Sequence, residues 1–145
     1  MDPEEATAEG HVPFESDALA VLSCEPATVH VEDAECPALG TIADGDTMVD
    51  EWYGFHENPR PRVNVIATVD ESTYEPCLGE MGADHPIVWW HEFGGGRSVY
   101  NSLGHSVAMW NDERFLSSVL GGIDLAAGRR STSPPVWHRG PSPDV

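Results

Sequence analysis

The stretch HPIVWWHEFGGGRSVYNSLGH, residues 85–105, holds the most concentrated apolar run of the chain beside its densest group of His, Glu and Arg. It reads as a strand, a glycine turn and a second strand ending in Gly104-His105. Ile87, Trp89, His91 and Phe93 alternate with Val88, Trp90 and Glu92, and both sets are largely apolar. The strand is therefore expected to be buried on both faces. Its register has two solutions: a two-glycine loop pairs Glu92 with Arg97, whereas a three-glycine loop pairs Phe93 with Arg97 and Glu92 with Ser98. Either one brings Glu92 within reach of Arg97, as an ordinary cross-strand ion pair or as part of a site.

Upstream of the hairpin the chain patterns as strands and loops. ATVHVE, residues 27–32, alternates Val29 and Val31 against polar neighbours and predicts a half-buried strand. VDEWYGF, residues 49–55, predicts a second strand, and VNVIATV, residues 63–69, a β-branched third with Val63, Val65, Ala67 and Val69 on one face. HENPRPR, residues 56–62, cannot hold a helix because each proline biases the preceding residue toward extended geometry. Residues 33–46 and 70–84 are loops punctuated by glycine and proline.

Downstream, residues 111–127 predict one helix. Asn111 caps it, Asp112 and Glu113 suit the positive end of its dipole, and Phe115, Leu116, Val119, Leu120, Ile123 and Ala127 form an apolar stripe. Gly128 ends it. Gly121-Gly122 costs about 1 kcal/mol per residue relative to alanine inside a helix, which predicts close packing on a neighbour. Residues 1–26 read as an acidic, irregular lead-in and residues 129–145, rich in proline, as a disordered tail. About five strands and one helix leave a sheet covered on one face only.

A length of 145 residues fits one domain with a real core, and the formal net charge is −18. All 7 basic residues are arginine, and fifteen acidic residues precede the first of them, Arg60. Such a surface repels phosphate backbones and anionic lipid, so neither nucleic acid nor a membrane is an expected partner. A salt-rich cytoplasm accounts for both the excess acid and its hydration, whereas a GC-rich genome accounts only for the missing lysine. Cys24, Cys36 and Cys77 form neither an even framework nor a CxxC pair, which suits reduced thiols in a cytoplasmic protein. The N-terminus lacks the basic-then-apolar order of a signal peptide, and no apolar run approaches the ~20 residues that span a bilayer. No strand–glycine turn–helix of dinucleotide or P-loop type is present, so no cofactor is expected.

Two clusters carry candidate chemistry. His105 follows the second hairpin strand after one glycine, which permits a sharp departure at a strand end. The imidazole there is a general acid-base, a ligand, or simply a loop hydrogen-bonder. His91, Glu92 and His105 have the residue types of a metal site, but neighbours on a strand point to opposite faces and the spacing matches no established pattern, so no metal is assigned. In Asp50-Glu51-Trp52-Tyr53, alternation sends Asp50 and Trp52 one way and Glu51 and Tyr53 the other. A carboxylate beside an aromatic suits a sugar, with the ring against apolar C–H faces and the acid on hydroxyls; simple strand packing produces the same composition.

Four blocks in order carry a family resemblance: DEWY (residues 50–53), VNVIATVDESTY (63–74), GADHPIVWWHEFGGGRSVYNSLGH (82–105) and NDERFLSSVLGGIDLAAG (111–128). Together with ATVHVED (27–33) they resemble the C-terminal half of the ThuA-like domain, named for trehalose utilisation, over residues 27–128. The resemblance implies an α/β, flavodoxin-like sandwich of the class I glutamine amidotransferase-like superfamily, without the amidotransferase cysteine, and a link to carbohydrate metabolism. It makes His105 similar in position to the catalytic histidine at a strand end of the amidotransferases.

The first parallel strands and Gly-rich turn of the family pattern are not recognised, and Cys36-Pro37 stands where relatives often have His-Pro. The chain is thus expected to be incomplete on its own. The leading expectation is a sugar-handling ThuA-like protein with His105 and Glu92 catalytic and Asp50, Glu51, Trp52, Tyr53, His91 and Arg97 binding substrate. Its alternatives are a non-catalytic fragment or binding module that needs a second copy or a partner chain to complete its sheet, and a metal-dependent hydrolase.

Overall fold

The computed structural model describes residues 24–76 and 79–129. The readings of residues 1–23 as a lead-in, of Cys77 as a free thiol and of residues 130–145 as a tail lie outside them. Among the described residues five strands, β1 (Glu25–Val31), β2 (Thr47–Asp50), β3 (Asn64–Asp70), β4 (Pro86–Phe93) and β5 (Gly96–Asn101), precede one α-helix, α1 (Glu113–Ala126). They form a single sheet in the order β2-β1-β3-β4-β5. The fold is α/β in content, and its four strand pairings are all antiparallel. The parallel ladder of a flavodoxin-like sheet is not seen among the described residues.

The hairpin adopts the two-glycine register, with Glu92 opposite Arg97 and Phe93 opposite Gly96. Gly94 and Gly95 have φ of 60° and 82°. Two successive positive φ values match the right-handed strand twist, which is why this loop takes glycine at both positions. Residues 86–89 of β4 are buried on both faces as expected, but its last four residues open progressively to solvent. Trp89 stacks on Tyr100 at 4.0 Å, and Phe55 meets both rings edge-on. Segment 51–58 thus reaches the sheet face carrying Trp89 and Tyr100, while α1 packs on β5 from the Val99 side. The expectation of a sheet covered on one face only does not hold here.

Three other expectations are corrected. The strand predicted over residues 49–55 ends at Asp50, because the buried Asp50 carboxylate turns back to accept the Glu51 N–H at 3.0 Å and binds a distant loop as well. Residues 60–62 form a 3-10 turn despite the prolines, since Pro61 lies in its first turn, where its missing N–H costs nothing. In β3 the register shifts at Val65/Ala67, so Ile66 and Ala67 are both fully buried and the simple alternation fails. Each fully buried aliphatic side chain, such as Ile66, Ile87 and Val88, contributes about 1.5–3 kcal/mol.

The helix is capped by Asp112, one residue after the expected Asn111, its carboxylate accepting the Arg114 N–H at 2.9 Å. Gly128, with φ of 71°, follows its end. Its buried row differs from the predicted stripe: Phe115, Ser117, Ser118, Gly121 and Gly122 face inward, whereas Ile123 is exposed. The small residues let the helix backbone approach the 3-10 turn Pro37–Leu39. A Cβ on Gly121 would overlap the Pro37 carbonyl, and Ser118 Oγ donates to the Ala38 carbonyl at 2.5 Å. The close packing expected of Gly121-Gly122 is thus present, on that turn and on Val99.

Candidate functional site

The end of β2 and the loop after β5 meet at one place. Asp50 is fully buried, and its carboxylate accepts the backbone N–H of Gly104 at 2.6 Å and of Ser106 at 3.3 Å. A buried carboxylate is costly unless hydrogen-bonded, and these peptide donors supply that compensation. They also grip the loop on both sides of His105. Gly104 has φ of 109°, and a Cβ there would press on the Phe115 ring, so this departure from the strand requires glycine.

Glu51 and Tyr53 then converge on the histidine. Glu51 Oε2 lies 2.7 Å from His105 Nδ1, and the Tyr53 hydroxyl donates to the same oxygen at 3.1 Å while standing 3.0 Å from Nδ1. The Glu51 side chain is 8% exposed and that of His105 50% exposed, so the carboxylate is sheltered and the imidazole half-open. A carboxylate at Nδ1 holds the proton on that nitrogen, fixes the ring orientation and leaves Nε2 for an incoming group. Burial, the Glu51 hydrogen bond and the nearby carboxylates push the Tyr53 phenol up to about 12, so it stays a neutral donor across the physiological range.

Beneath Tyr53 lies a second histidine. His85 is fully buried, with Nε2 2.9 Å from the Tyr53 carbonyl and Nδ1 2.8 Å from Glu71 Oε1. These two contacts, with the Tyr74 hydroxyl 3.2 Å from Nδ1, hold the buried ring in place. Glu71 also accepts the N–H groups of Met81 and Gly82, each at 2.6 Å. Gly54 packs against the backbone of Gly79, too close to admit a Cβ. Segment 79–85 therefore buttresses the residues that face His105.

The structure brings together Asp50, Glu51, Tyr53 and His105 from the expected set and separates the others. Trp52 is a core residue, 1% exposed, its indole N–H donating to the Glu25 carbonyl at 2.9 Å. His91, Glu92 and Arg97 lie toward the hairpin turn, and Arg97 stands four strand steps before Asn101, or about 13 Å. Arg97 donates to the Leu125 carbonyl at 3.2 Å and lies 5.8 Å over the Trp90 ring, and with Glu92 it lines a shallow cleft of about 520 Å³. A larger cleft of about 730 Å³ is lined by His30, Asp70, Glu71, Tyr74 and neighbours.

Sequence reading missed Glu71, Tyr74 and His85, because buried groups joined across a loop leave no local pattern. It also missed Trp110, whose indole N–H donates to the Gly104 carbonyl at 2.9 Å. Among the described residues no group of three or more His, Cys, Asp or Glu side chains is gathered to hold a metal ion. Cys36 is buried, and burial raises its thiol, the condition of an inert cysteine. No helix among the described residues is long and apolar enough to cross a membrane.

The family model ThuA, described as trehalose utilisation, matches residues 6–126, starting well before the residue 27 at which the sequence resemblance begins. No curated protein and no solved structure matches the chain.

Proposed function

The chain belongs to the ThuA family, trehalose utilisation, and on that footing we propose that it handles a trehalose-type sugar with His105 as its proton-transferring group. The observation that carries this reading is the 2.7 Å contact of Glu51 Oε2 with Nδ1 of a half-exposed imidazole. Sugar hydroxyls are too weakly acidic to react unaided at neutral pH, and an imidazole with a free Nε2 is the general base suited to them. Glu51 orients the ring and stabilises the imidazolium that forms when Nε2 takes a proton, and Tyr53 shares the carboxylate. Asp50 fixes the backbone from which His105 projects. Glu92 and Arg97 are left out of this site.

Conversion of trehalose by the purified chain, followed by carbon NMR of the sugar, tests the reading. His105→Gln should lose about 10²–10⁴-fold in rate. Unchanged conversion by that variant would contradict it.

A second reading rests on the sheet order. Among the described residues β2 and β5 are outermost and pair on one side only, so a partner chain or second copy could add a strand there. Concentration-dependent sedimentation would support this reading, and a monomer at all concentrations would oppose it. The flavodoxin-like, amidotransferase-like architecture is likewise an inference from family membership, as is the cytoplasmic, salt-adapted setting from the acidic composition.

A further inference from the structure

Trp110 presents a fixed, half-exposed indole at the Gly104–His105 peptide, and the chemistry proposed for Glu51 and His105 does not use it. Its residue surface is 54% exposed, while Trp52 and Trp89 are buried at 1% and 8%. It is nevertheless anchored twice. Nε1–H donates to the Gly104 carbonyl at 2.9 Å, and the ring meets Phe115 at 5.0 Å with an interplanar angle of 88°. Val107, 81% exposed, adds apolar surface three residues away on the same loop.

We propose that Trp110 is the stacking platform on which a pyranose ring rests while its hydroxyls face His105, Glu51 and Tyr53; this rests on the function proposed above. A pyranose is two-sided, with C–H groups on its faces and hydroxyls around its rim. Binding it needs an apolar plane beside polar groups, and an indole supplies that plane at little entropic cost when held in place beforehand. The Gly104 peptide couples the two halves, since its carbonyl fixes the indole while its N–H is fixed by Asp50. Trp52, by contrast, has no surface left to offer a sugar.

Trehalose affinity measured by saturation-transfer NMR on the full chain tests the assignment. Trp110→Ala should weaken binding at least tenfold, and Trp110→Phe, which keeps a ring but loses the N–H anchor, about threefold. Melting curves for both check that the fold is kept, and Trp110→Phe carries the test if Trp110→Ala unfolds. Wild-type affinity in either folded variant overturns the platform, as does absence of trehalose binding by the wild type. So does a wild-type dimer that Trp110→Ala converts to monomer without loss of affinity, which would make the indole an interface residue. If binding falls as expected but His105→Gln still converts the sugar, the platform stands and the role given to His105 fails.

Discussion

Glu51 Oε2 lies 2.7 Å from His105 Nδ1, joining the end of β2 to the loop beyond β5 through one sheltered carboxylate and one open imidazole. Glu51→Gln keeps the shape but presents a neutral amide to the ring. Sugar conversion should fall by about 100-fold. An unchanged rate in a kinetic assay would remove Glu51 from the chemistry.

Asp50 has the structural role. Its fully buried carboxylate accepts N–H groups from Glu51, Gly104 and Ser106. Removing it strands those donors, so Asp50→Ala should lose about 3 kcal/mol of stability in denaturant unfolding. Asp50→Asn retains one acceptor oxygen and should lose less.

All 3 tyrosines have phenols raised above the ordinary value, Tyr53 to about 12 and Tyr74 and Tyr100 chiefly by burial. An unfolded tyrosine ionises near 10. The unfolded chain therefore releases protons first as pH rises, and the stability these groups contribute, complete below about pH 10, is lost from there through about 12. Ultraviolet titration should show less phenolate at pH 10 in the native chain than in the unfolded chain, with melting temperatures falling above it. Equal phenolate absorbance at pH 10 in the folded and unfolded chains would contradict this.

Gly121→Ala gains about 1 kcal/mol of helix propensity but drives a Cβ into the Pro37 carbonyl, which cannot move aside cheaply. A net loss of about 2 kcal/mol is expected from thermal melting. Gly122→Ala meets only side-chain atoms, the nearest being Val99 Cγ1 at 3.3 Å, and should stay within about 1 kcal/mol of wild type.

The hairpin was legible in the sequence because Gly94-Gly95 and the alternation of residues 86–93 are local signals. The loop composition left two registers open, and the structure selects the two-glycine one that pairs Glu92 with Arg97. His105 was legible through Gly104, and Asp50, Glu51 and Tyr53 through their composition. The way they meet was not, because Asp50 ends its strand by bonding residues far along the chain. The same limit hid Glu71 and His85. The helix face was misjudged because apolarity is a poor guide where close backbone approach decides packing: Ser118 and Gly121 go inward while Ile123 stays out.

The most direct measurement is a map of backbone and indole chemical shifts during titration of the nitrogen-15-labelled chain with trehalose. The site proposed here predicts shifts confined to residues 50–55 and 103–110, including the Trp110 indole. Shifts centred on Glu92, Gly94–Gly96 and Arg97, with His105 unmoved, would contradict it and move the site to the hairpin turn.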